Sequence, residues 1–180
     1  MSAPFHTTPA GLIARTYHDH THSGRVIGRA VLEYEARFLR RKVVTLEDGR
    51  SLLADLPHTT SLNHGGALVT ETGDEIAIVA AKEPLLEVTG DVLPRIAWHI
   101  GNRHTPCQIL SDRLLIQRDH VIRDMLQRIG AHVVEVFDTF TPEGGAYGHG
   151  RTHGHDHGHS HDHSHGPDDD HTHDHTHDSN

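Results

Sequence analysis

Imidazole dominates the chemistry open to this chain. Of its 22 histidines, twelve fall after residue 148, in a tail that reads HGRTHGHDHGHSHDHSHGPDDDHTHDHTHDSN. They are His149, His153, His155, His157, His159, His161, His163, His165, His171, His173, His175 and His177. Neutral imidazole is the commonest side-chain metal ligand. The tail has no Val, Leu, Ile, Met, Phe or Trp, so it cannot bury a core, and its composition predicts a disordered segment. An expression tag would run uninterrupted, whereas here imidazole alternates with Asp and small polar residues. Low-complexity drift without a role is the other plain reading. Capture of divalent metal ions explains the composition better than either. Such binding should fall steeply below about pH 6, where protons compete for the rings.

In the rest of the chain His120 stands out. It follows Asp119, a residue suited to cap a helix, so it takes the first helical position beside a face formed by Val121, Ile122, Met125, Leu126 and Ile129. The positive end of the helix disfavours imidazolium and keeps the lone pair available. From spacing alone a surface histidine without a role is the better reading. His104, in Gly101-Asn102-Arg103-His104, is read first as a helix-end residue held by a local hydrogen bond and second as a ligand. His18, His20 and His22 alternate in YHDHTH like a miniature of the tail, and an exposed loop and an auxiliary metal site are both open. His6, His58, His64, His99 and His132 are scattered. The single cysteine, Cys107, excludes disulfides and Cys-based zinc or iron–sulfur patterns and reads as a small packed hydrophobe. Nucleophile-elbow, Walker, H-E-x-x-H and dinucleotide-binding patterns are absent, which argues for binding and delivery over catalysis.

The elements that must carry these residues divide the 180-residue chain into three parts. Residues 1–74 alternate like strands, with turn signals at Asp48-Gly49 and Thr72-Gly73-Asp74 and punctuation at Pro57, Gly65 and Gly66, and predict a small all-β domain. Residues 75–147 predict strands over 76–80 and 85–88 and a helix capped by Asp91 with Pro94 in its first turn. Two short strands over 107–110 and 114–117, a helix from Asp119 to Gly130, and a strand over 133–137 follow. That order is βαββαβ, a ferredoxin-like arrangement, so the fold class is α+β. Residues 148–180 are the tail. The net charge of −9 is concentrated there, where seven Asp face one Arg, and nothing is basic enough to suggest nucleic acid. No stretch has a leader pattern or the ~20 apolar residues that span a bilayer, so a cytoplasmic protein without membrane partners is expected.

Two segments support a family resemblance. HIGNRHTPCQI (99–109) resembles the GNRH-x-P-x-Q signature of the UreE urease accessory proteins, and RDHVIRDMLQRIG (118–130) resembles that family's DHV helix. RRKVVTLEDGRSLLADLP, the EPLLEV run over 83–88 and FTPEGGAYGHG before the tail are also similar, so the resemblance covers nearly the whole chain. It implies a nickel metallochaperone with an N-terminal β domain for protein contacts and a C-terminal domain that forms a homodimer. It further implies that His120 lies at the two-fold axis and shares one Ni(II) with its symmetry mate. Partners would be the urease-maturation GTPase, the other urease accessory proteins and apo-urease. Where relatives place further histidines on the last strand, this chain has Val134 and Val136, with His132 as a partial substitute.

Such a site makes physical sense. A two-fold interface presents each residue twice. Two imidazoles leave Ni(II), which takes four to six ligands, to complete its shell from tail histidines, His149 being nearest, or from water. An incomplete shell releases its ion readily. Zn(II) and Cu(II) would also bind in vitro, since ligand type alone does not favour nickel over copper. The competing function is a cytosolic divalent-metal storage or buffer protein, in which the tail holds the ions and the remainder is scaffold.

Overall fold

The computed structural model describes residues 11–22 and 24–144. The expected metal-binding tail, His149 to His177, lies outside them.

Seven strands precede the first α-helix: β1 (Leu12–His18), β2 (Val26–Leu32), β3 (Phe38–Thr45), β4 (Ser51–Ser61), β5 (Ala67–Thr70), β6 (Glu75–Ala80) and β7 (Lys82–Thr89). The first six form one mixed sheet in the order β2-β6-β5-β1-β4-β3, with β1–β4 and β2–β6 parallel. Just beyond β3, the Glu47 N–H donates to the Arg29 carbonyl of β2 at 2.9 Å, which joins the two ends of the sheet. Inside lie Ala14, Ala30, Val44, Leu52, Ala54, Leu68, Ile76 and Ile78, all at most 3% exposed. The period-2 alternation delivers these positions to one face.

The Asp48-Gly49 turn forms as the dipeptide predicts, with Gly49 at φ +85 and its N–H donating to Leu46 O. Pro57 does not end its strand. It lies within β4, where the β3 pairing jumps from Leu39↔Thr60 to Arg41↔Asp55, and this irregularity spares proline a ladder bond it cannot make.

The second sheet follows β7-α1-β8-β9-α2-β10, with α1 at Leu93–Gly101, β8 at Cys107–Ile109, β9 at Leu114–Gln117, α2 at His120–Arg128 and β10 at His132–Thr139. Its order is β10-β7-β9-β8, antiparallel throughout, which is the expected βαββαβ arrangement. The α+β class is therefore observed. One strand changes sides. The segment over 76–80, expected to open the second domain, pairs instead with β2 and β5, and the second sheet starts at Lys82. An apolar strand carries no mark of which sheet it will join; its pairing partners decide.

Helix α1 begins one residue later than expected, with Val92 rather than Asp91 at the cap and no side-chain cap bond. Pro94 in the first turn contributes no N–H to satisfy, which lowers the need for one. Ile96 and Ile100 of α1 and Ile122 and Leu126 of α2 pack on Leu86, Val88, Leu114, Ile116 and Val133 of the sheet.

A smaller core joins the two domains. Tyr34, Leu85, Leu115 and Phe140 cluster, and Tyr34 meets Phe140 edge-on at 5.1 Å between ring centroids. The buried Glu83 carboxylate accepts the Tyr34 N–H at 2.8 Å, and Arg37 donates from its guanidinium to the Phe140 carbonyl. Among the described residues no helix is long and apolar enough to cross a membrane.

Candidate metal site

His120 is the first residue of α2 and is exposed. Asp119, in extended conformation, accepts the Ile122 N–H on its carboxylate at 2.9 Å, so the cap predicted from sequence is present. The helix start is also fixed sideways. Glu135 of β10 takes Arg118 at 2.5 Å and Arg123 at 3.0 Å, and these two cations flank His120 in the chain. These pairs are half exposed, so each contributes little stability by itself. Together they orient the turn that presents the imidazole.

The surface around His120 is partly apolar. Val121, expected on the packed face, is 60% exposed, because the helix leans on the sheet through Ile122 and Leu126 one residue further on. His120, Val121, Met125 and Ile129 line a shallow concavity whose rim includes Arg103. The GNRH segment that closes α1 and the start of α2 are thus brought together. His104 has φ 54, and its backbone N–H donates to Gly101 O at 2.9 Å, the helix-end role its sequence suggests.

No three ligand-bearing side chains converge at His120 among the described residues. His132 is exposed at the start of β10, opposite Thr89. Cys107 opens β8, and burial, with a smaller effect of Glu143, pushes its thiol up to about 11. A thiol held protonated at neutral pH is a poor metal ligand.

The described residues do bring one ligand group together, elsewhere. His18 at the end of β1, His22 in the following loop and Glu75 at the start of β6 offer donor atoms all within 4.8 Å of one another. The alternation in YHDHTH was the sequence signal for two of the three. Nothing in the sequence pointed to Glu75, which sits 53 residues beyond His22 and arrives through the β2–β6 pairing Val26↔Glu75.

Family models match both domains: UreE urease accessory protein, N-terminal domain, over residues 12–81, and the C-terminal domain over residues 83–179. The chain is similar to a urease accessory protein UreE of Ruegeria sp. (strain TM1040), 65% identical over 152 residues, 84% of this chain and 83% of the relative. A protein of the same name from Ruegeria pomeroyi is 64% identical over 69% of this chain and 83% of its own length. One from Rhodobacter capsulatus is 55% identical over 67% and 77% respectively.

Proposed function

This chain belongs to the UreE family of urease accessory proteins, and from that premise we propose that it is a nickel metallochaperone that carries Ni(II) to urease during active-site assembly. A role in urease maturation follows from the family. The finer reading adds that the metal is nickel, that it is held at a homodimer interface by His120 from each subunit, and that the tail histidines load or complete the site. The cytoplasm, and the urease-maturation GTPase with apo-urease as receivers, belong to the same reading.

The observation that carries it is the exposed and incomplete ligand position of His120. One exposed imidazole, on a capped helix start and beside the exposed Val121, belongs to no group of three ligand-bearing side chains among the described residues. A second copy docked on this face would supply the matching ring and cover the exposed valine. Two imidazoles still leave at least two positions on Ni(II) for tail histidines or water. Those positions let the ion leave, as delivery requires and a closed structural site would prevent. Selection among Ni(II), Cu(II) and Zn(II) then rests on supply and receiver, since affinity for nitrogen ligands places copper first.

Isothermal titration with Ni(II), paired with sedimentation, tests the reading. A chain ending at Tyr147 is expected to bind one ion tightly per dimer, and His120→Ala in that background to lose it. Undiminished tight binding in the double variant, or a monomer at every concentration with and without nickel, overturns it. The storage reading draws on the twelve tail histidines. It predicts that truncation removes nearly all binding.

A further inference from the structure

We propose that His18, His22 and Glu75 form a second metal site, held within a single chain on the N-terminal sheet, for a divalent ion of the nickel–copper–zinc group. The inference stands apart from the nickel site at His120. The two share no residue and no domain.

Glu75 is the anchor. Its side chain is 2% exposed, yet both oxygens face the same loop: Oε2 accepts the His22 N–H at 2.7 Å, and Oε1 lies 2.6 Å from His22 Nδ1. The donated His22 N–H holds the Glu75 carboxyl below its usual range, against the opposing effect of burial, and the His22 ring lowers it further. At neutral pH this is a fixed anion under a loop of imidazoles. His18 Nδ1 is buried and makes no hydrogen bond, a cost that buried polar atoms rarely bear without a purpose. The His18 and His22 rings stand 5.5 Å apart between centroids, and His20 lies 4.8 Å from His22.

The donor set identifies the ion class. Two imidazoles and one carboxylate suit Zn(II), Ni(II) or Cu(II), whereas Mg(II) and Ca(II) favour oxygen shells. Metal–nitrogen and metal–oxygen bonds of about 2.0–2.2 Å in a tetrahedral shell place neighbouring donors roughly 3.4 Å apart. The present separations, from 2.6 Å to at most 4.8 Å, bracket that value. Binding therefore needs side-chain shifts of about 1 Å, and the His22 side chain, 50% exposed, has room to turn. The fourth position goes to water or to His20, which is exposed on the same loop. Three ligands from one chain make this site independent of dimerisation, unlike the one at His120.

The test follows the imidazole ring nitrogens of the full-length ¹⁵N-labelled chain by NMR, with Zn(II) added beyond saturation of the tail. The His18 and His22 rings are expected to move to metal-bound shifts. Glu75→Gln should weaken that response by roughly tenfold or more, since even orienting partners of metal ligands contribute on that scale. His18→Ala, which leaves the Glu75–His22 contact in place, should remove the His22 ring response while the His22 amide keeps its hydrogen-bonded shift. His120→Ala should leave both rings responding as before. The proposal is overturned if either ring keeps its metal-free shift in excess Zn(II). It is equally overturned if the His22 response survives His18→Ala unchanged, or if it disappears in His120→Ala. Because the His120 ring is read in the same spectra, failure here is distinct from failure of the interface site.

Discussion

Asp119→Ala tests the device that presents His120. The Asp119 carboxylate accepts the Ile122 N–H at 2.9 Å at the start of a nine-residue helix. Loss of an N-cap bond costs ~1 kcal/mol, within a range of about 0.5–2. The negative charge beside the helix N-terminus adds roughly 0.3–1 kcal/mol. A destabilisation of about 1–2 kcal/mol is expected for Ala. For Asn, which keeps the acceptor and loses the charge, about 0.3–0.5 kcal/mol is expected. With a urea dependence of about 1.5 kcal/mol per molar, the midpoint falls by roughly 0.7–1.3 M for Ala and about 0.2–0.3 M for Asn. Both described α-helices belong to the second domain, so ellipticity at 222 nm follows that domain. Protein concentration is held constant, because midpoints of associating proteins depend on it. An Ala midpoint within about 0.2 M of the parent, or Asn as damaging as Ala, refutes the capping account.

Three further outcomes follow from the geometry. Phe140→Ala empties a fully buried site between the domains and should cost about 3–5 kcal/mol; limited proteolysis should show faster cleavage near residue 81. Cys107, raised from 9.0 to about 11 mainly by burial, should react with a disulfide reagent at pH 8 more slowly, by roughly tenfold or more, than in the urea-unfolded chain, its smaller thiolate fraction being partly offset by greater nucleophilicity. Glu75, held below its ordinary value of 4.5, contributes stability that is present above about pH 4.5 and lost as pH falls through the lower folded-state value. Thermal melts of the parent should therefore decline below about pH 4.5, and those of Glu75→Gln should decline less over the same interval.

Much of this molecule was legible in one dimension because the signals were local. Alternation marked the strands, Asp48-Gly49 marked its hairpin, and Asp119 with Gly130 marked both ends of α2. The element order βαββαβ followed from these, and so did His120 at the first helical position. The density of imidazole in the tail is likewise a property of composition and needs no fold to be read.

Tertiary structure decided what depends on pairing between distant segments. An apolar run such as Ile76–Ala80 satisfies either sheet, and hydrogen bonding to β2 and β5 chose the first. Helical periodicity placed Val121 on the packed face, but the tilt of α2 on its sheet left it in solvent beside His120. Above all, a metal site is a coincidence in space. The spacing of His18 and His22 was visible in the sequence, yet the buried carboxylate beneath them arrives from 53 residues away because β2 and β6 run parallel with Val26 opposite Glu75.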